Sequence, residues 1–180
     1  MIVSNPYRNV LFLAPRTVKD NTIIGEEVNE DMIRVAVRQV QDIELMKIIG
    51  SSLLRRLQEL IYQKLIDQEV YGAYKVLLDE YIQPYLLSMT VANISFDLAY
   101  KYRNKGVINT YDEHITNTPY DDIALLVQKH KVNAASYREY LVKFLRTNRA
   151  SYPELADGCD CGVIAAPDPK EANPVPFYLG

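Results

Sequence analysis

Apolar side chains recur at helical spacing through most of this chain, and the breaks between the runs divide it into blocks. In residues 29–49, Ile33, Val37, Val40 and Ile43 form one stripe. Asn29 stands where an N-cap is needed, and Glu30 and Asp31 put negative charge on the first turn, where the helix dipole favours it. Gly50 can adopt the left-handed conformation that closes a helix. A second run opens at Ser51 and Ser52 and carries Leu53, Leu57, Leu60, Ile61 and Leu65 to about Tyr71, where Gly72 stops it. A third, residues 73–83, has Tyr74, Leu77, Leu78, Tyr81 and Ile82 on one face. Pro84 then either kinks one long helix or starts a new one in its first turn, where proline is tolerated.

The fourth run, residues 85–102, follows Leu87, Val91, Ile94, Leu98 and Tyr102, with Leu86, Phe96 and Ala99 off the stripe. A helix apolar nearly all round sits centrally in a bundle. Asn104, Lys105 and Gly106 signal a turn, and Val107, Ile108, Thr110 and Tyr111 favour extended backbone, so residues 103–119 are expected to form a projecting loop or small hairpin. The fifth run, residues 120–149, keeps helical spacing from Ile123 through Val127, Ala134, Leu141 and Leu145, and either projects from the body or breaks near Val132 and Asn133. Five prolines follow residue 150, so the end of the chain is not helical. The predicted fold is mainly α: a bundle of about five helices, with an N-terminal arm over residues 1–28, a helical domain over 29–150 and an extended C-terminal arm over 151–180.

Length and composition fit one globular domain plus arms. The chain has 180 residues, 48% hydrophobic and 24% charged, with a net charge of -3. That balance argues against a general nucleic-acid binder, which carries a basic excess. The apolar run Val10, Leu11, Phe12, Leu13 is too short to span a membrane and lacks the flanks of an export signal. It reads as a strand or arm that docks on a neighbour, and the chain as one made and used in a cytoplasm-like setting. The charge is uneven. Lys129, Lys131, Arg138, Lys143, Arg146 and Arg149 face one acid, Glu139, within residues 129–149, whereas the tail has Glu154, Asp157, Asp160, Asp168 and Glu171 against Lys170. A basic helix end followed by an acidic arm suggests pairing within the chain or with a neighbour; a plain solvated face is the alternative.

No constellation points to catalysis. His114 has no partner at metal-ligand spacing, and His130 falls on the apolar stripe of the last helix as a core or interface residue. No HExxH, GxSxG or glycine-rich phosphate loop is present in the sequence. Cys159 and Cys161 could supply half of a zinc or copper site, but their spacing departs from that of zinc modules, and incidental cysteines are the better reading unless ring symmetry brings copies together. The adjacent carboxylates Glu26–Glu27 and Asp121–Asp122 read as charge at helix N-termini, and Arg55–Arg56 as a solvated or interface pair. Neither an enzyme nor a cofactor is expected. Tyrosine is the unusual residue, 14 against 4 Phe and no Trp, which tilts the chain toward an interaction protein.

The order of several short motifs resembles the head-to-tail connector, or neck ring, proteins of tailed bacteriophages, most like those of crAss-like phages. The likeness starts with Val28, Asn29, Glu30, Asp31, Met32, Ile33, then Val40, Gln41, Asp42 and the break Ile48 to Leu53. It continues with Leu78 to Pro84 and with Tyr102, Arg103, Asn104, Lys105, Gly106, Val107. It ends with Tyr140 to Asn148 and Tyr152, Pro153, Glu154, Leu155. The resemblance covers roughly residues 25–155 and implies a structural virion protein in a homo-oligomeric ring, usually twelvefold. Such a ring would sit in the neck between portal and tail, after assembly in the host cytoplasm. It would contact the portal protein and other neck or tail proteins, and let packaged double-stranded DNA pass without sequence recognition or any membrane role. The residues expected at subunit or partner interfaces are Val10, Leu11, Phe12, Leu13, Tyr111, Tyr137, Tyr140, Arg146, Arg149, Pro174, Phe177 and Tyr178. The alternative is a DNA-binding or regulatory helical protein using the basic helix 129–149.

Overall fold

The computed structural model describes residues 6–103, 106–109 and 120–155, and over these the fold is mainly α. The helices are α1 (Pro15–Asn21), α2 (Glu30–Gln39), α3 (Met46–Tyr62), α4 (Gly72–Val76), α5 (Gln83–Ala99) and α6 (Tyr120–Thr147). Two strands, β1 (Tyr100–Arg103) and β2 (Gly106–Asn109), pair antiparallel with Tyr100 opposite Asn109 and Arg103 opposite Gly106. The hairpin takes over where the fourth run was expected to stay helical to residue 102. Residues 110–119, including Tyr111 and His114, lie outside the described residues.

Local signals set several boundaries. Asn29 caps α2 by accepting a hydrogen bond from the Asp31 N–H at 2.7 Å. Gly50 has φ 78° and ψ 162°, a non-helical conformation essentially reserved for glycine, and it divides α3 by a kink into two helical stretches, one ending before it and one starting at Ser51, as the sequence leads one to expect. The second run was expected to reach Tyr71, yet α3 stops at Tyr62. Lys64 takes a left-handed conformation (φ 56°), the Leu65 N–H bonds the Leu60 carbonyl at 2.8 Å, and the Lys64 N–H bonds that of Ile61 at 3.0 Å. That is a Schellman termination with lysine in the position usually held by glycine, so no glycine announces it. Gly72 opens α4 instead of closing α3.

Two wide π turns reset the helical phase. The first, Val40–Leu45, joins α2 to α3. Its extra residue turns Ile43 outward, 50% exposed, and brings Gln41 and Leu45 inward. Ile43 therefore leaves the stripe on which its spacing had placed it. The second, Leu77–Ile82, joins α4 to α5, so the third and fourth runs form one rod. Its final N–H, from Gln83, reaches back to the Leu78 carbonyl, five residues earlier. Widening the turn just before Pro84 relieves the clash a proline ring makes with the carbonyl four residues back, and the helix passes through.

The core joins all the helices. Leu53, Leu57, Leu60, Leu77, Ile82, Leu86, Leu141 and Leu145 are fully buried, with Ile33 and Val37 of α2 and Val18 of α1. α6 packs along α5 and is continuous through Val132 and Asn133; its 28 residues span about 42 Å.

Both ends of the described chain correct the sequence-based expectation of free arms. Phe12, Leu13, Val18 and Ile24 belong to the core, so Phe12 and Leu13 are occupied within their own chain instead of lying open to a neighbour; Val10 and Leu11 are half-buried. Buried Gln41 acts as a backbone surrogate for this segment: its Oε1 accepts from the Phe12 N–H at 2.9 Å and its Nε2 donates to the Val10 carbonyl at 2.9 Å. Gln58 and Gln83 add donors to the Val10 and Phe12 carbonyls at 3.4 Å. At the other end, Tyr152 and Leu155 are buried, so residues 151–155 belong to the body.

Among the described residues, the Thr90 hydroxyl on α5 is the buried side-chain oxygen without a hydrogen-bond partner. Thr90→Val removes that hydroxyl at nearly constant shape. It is expected to leave stability unchanged or raise it by about 1 kcal/mol in urea unfolding.

Candidate functional site

Two features stand out on the described surface, and they share a wall. The first is an ionic and aromatic clasp that holds the C-terminal segment. The Tyr74 hydroxyl on α4 donates toward both Glu154 carboxylate oxygens, at 3.0 and 3.1 Å. Arg56 on α3 pairs with Glu59 at 2.8 Å and reaches Glu154 at 3.8 Å, with its guanidinium 5.5 Å from the Tyr71 ring centre. Tyr152 meets Tyr74 edge-on at 5.4 Å and donates its hydroxyl to the Ala73 carbonyl at 2.8 Å. The Arg56 pairs are partly solvated and each contributes little; the buried rings and the Tyr152 hydrogen bond carry the clasp. Arg55–Arg56 thus splits in role: Arg55 stays exposed, and Arg56 is half-buried in this network.

Burial, first, and the hydrogen bond to Glu154, second, push the Tyr74 hydroxyl up to about 12. Burial pushes Tyr152 to about 12 as well, and so it does Tyr85, with a further contribution from Glu44. In each case the folded state favours the neutral phenol, while the unfolded chain ionises near the ordinary tyrosine value of about 10. This contribution to stability is therefore complete below about pH 10 and lost as pH rises toward 12. Thermal midpoints are expected to be flat from pH 7 to 9 and then to fall steeply, and Tyr74→Phe should make the fall shallower.

The second feature is an open groove of about 480 Å³ between the second π turn and the C-terminal half of α6, lined by Glu80, Tyr81, Tyr137, Tyr140, Lys143, Phe144, Thr147 and Asn148. Tyr81 and Phe144 stack at 4.0 Å with planes 17° apart, and Phe144 lies 6.3 Å from Tyr152, which ties the groove wall to the clasp. The π turn supplies one side of the groove and the helical repeat of α6 the other. Tyr140 is 61% exposed and Tyr137 38%. Farther along α6, Leu125 is 71% and Val132 54% exposed.

The expected interface residues separate accordingly. Tyr137 and Tyr140 both line the groove. Arg149 is exposed and donates to the Leu155 carbonyl at 3.4 Å, and Arg146 is half-buried and engaged. Pro174, Phe177, Tyr178, Cys159 and Cys161 lie outside the described residues, as does Tyr111. His130 is half-buried, and burial, aided by Lys129, lowers its pKa from the usual histidine value. Glu26 does not open a helix; it pairs with Arg16 at 3.0 Å. The sequence reading missed Glu80, Tyr81 and Phe144 as groove residues, and Arg56, Tyr74 and Glu154 as the clasp. Glu154 had been counted with the acids of the tail. No helix among the described residues is long and apolar enough to cross a membrane.

These features define a mainly α-helical protein whose C-terminal segment is clasped onto its body and whose longest helix presents an aromatic groove. A family model described as a family of unknown function (DUF6712) matches residues 45–163, and the chain belongs to that family. The match begins at the end of the first π turn and takes in both groove and clasp. No curated protein and no solved structure matches the chain.

Proposed function

We propose that this chain is a structural, non-enzymatic virion protein that forms a head-to-tail connector ring, twelvefold as in the proteins it resembles. It would sit in the neck, extend the portal channel, help retain packaged DNA and dock the tail. The observation that carries the reading is the outward face of α6, where Leu125, Val132, Tyr137 and Tyr140 are exposed in a single subunit. Apolar and aromatic area left open along one helix is the pattern of a surface completed by assembly. The motif order and the mainly α fold support the same reading. The test is cryo-electron microscopy with mass spectrometry of purified particles. A closed ring of this chain between portal and tail is the expected result; a chain abundant in infected-cell lysate and never in particles would overturn it.

A second reading rests on one observation: Lys129, Lys131, Arg138 and Lys143 are exposed on the same helix. A DNA-binding or regulatory protein would use them for phosphate contacts, and its binding would fall steeply with salt. A gel shift without binding at low salt removes this reading.

A further inference from the structure

The groove between the second π turn and α6 has a matching occupant in the chain itself. Its walls are aromatic: Tyr81 stacked on Phe144, with Tyr137 and Tyr140 along the rim. The lining carries one base, Lys143, and one acid, Glu80. Aromatic-lined grooves accept proline-rich segments, whose restricted backbone loses little entropy on binding. Residues 156–180 carry Pro167, Pro169, Pro174 and Pro176, end in Phe177, Tyr178 and Leu179, and hold Asp157, Asp160, Asp168 and Glu171 against Lys170. The segment is thus complementary to the groove in its apolar and aromatic character.

Position agrees. The described chain leaves the body at Leu155, three residues after Tyr152, whose ring lies 6.3 Å from the groove residue Phe144. Residues 156–174 can extend by roughly 60 Å at most, at about 3.3 Å per residue, far more than is needed to return to the groove of the same chain.

We infer that the groove lined by Tyr81, Tyr137, Tyr140 and Phe144 is the docking site for the chain's own C-terminal segment around Pro174–Tyr178. In this docking the prolines and Phe177 pack on the rings. This inference does not rest on the connector reading: a protein absent from virions would still close its groove in this way.

The test uses the full chain carrying the photo-cross-linker p-benzoylphenylalanine in place of Phe177, with the cross-linked peptides mapped by mass spectrometry. Cross-links to peptides containing Tyr81 or residues 137–148 are expected, and the size of the product shows whether the same or a neighbouring copy supplies the tail. In the double variant Tyr137→Ser, Tyr140→Ser the yield should fall about tenfold, as for loss of interface tyrosines. Both side chains are at the surface, so the variant's thermal midpoint should stay near that of the parent, which separates a lost site from a lost fold. Cross-links elsewhere, none at all, or a yield unchanged in the double variant would overturn the inference. A groove filled by α6 of a second copy would give the same negative result together with concentration-dependent protection of Tyr140.

Discussion

Tyr152→Ala is expected to lower the thermal midpoint of this protein by about 10 °C. Tyr152 is 1% exposed, packs edge-on against Tyr74 and lies near Phe144, and its hydroxyl bonds the Ala73 carbonyl. Truncating a buried aromatic residue to alanine costs about 3–5 kcal/mol. For a chain of this length each kcal/mol moves the midpoint by about 2–4 °C. Tyr152→Phe keeps the ring and loses one hydrogen bond, so it should cost about 1 kcal/mol. Ending the chain after Ser151 should match or exceed the alanine variant, because it also removes Leu155 and Glu154. A midpoint for Tyr152→Ala within a degree or two of the parent would mean that residues 152–155 are not part of the folded body.

The second large effect is at Gln41. Gln41→Leu keeps the volume but strands the Phe12 N–H and weakens the satisfaction of the Val10 carbonyl, both now held by one buried amide. Leaving buried backbone groups unpaired costs about 1–3 kcal/mol each. Gln58, at 3.4 Å from the Val10 carbonyl, compensates in part, so a total of roughly 2–4 kcal/mol is expected in urea unfolding by the same reckoning. Release of the segment should also speed proteolysis between Tyr7 and Ala14. Gln83→Leu is the control: it removes a 3.4 Å bond to the Phe12 carbonyl and an exposed 3.4 Å bond to Asp79, and should cost less. Equal, small effects at both positions would show that the N-terminal segment holds by its apolar side chains alone.

The groove was only half legible in the sequence. Tyr137 and Tyr140 could be named because their periodicity put them on a helix and the tyrosine count suggested contact surfaces. Tyr81 reads as a member of the apolar stripe with Leu77 and Leu78, and only the π turn at Leu77–Ile82 sets it against Phe144. A π turn has no strong sequence signature, so the face presented by a helix beyond it cannot be counted from a fixed repeat. Ile43 shows the same failure on the opposite sign: counted as core, it is turned to solvent by the first π turn. Lys64 in a left-handed turn shows a third, because the residue that usually marks such an end is glycine.

The sequence by itself determined that the middle of the chain is helical, where α2 starts, where the chain bends at Gly50, and that extended backbone follows the fourth run. Each depends on hydrogen bonds, caps and turns between residues at most nine apart, which neighbouring side chains dictate. Only the tertiary structure decided that Phe12 and Leu13 lie in the core, that Pro84 sits within a continuous rod, and that Tyr152 and Glu154 close onto α4. Those outcomes rest on partners 29 residues apart for Phe12 and Gln41, and 79 apart for Tyr152 and Ala73. Whether a short apolar or acidic segment gains more from such a distant partner than it loses in chain entropy is set by shape and burial, and no local pattern encodes that balance.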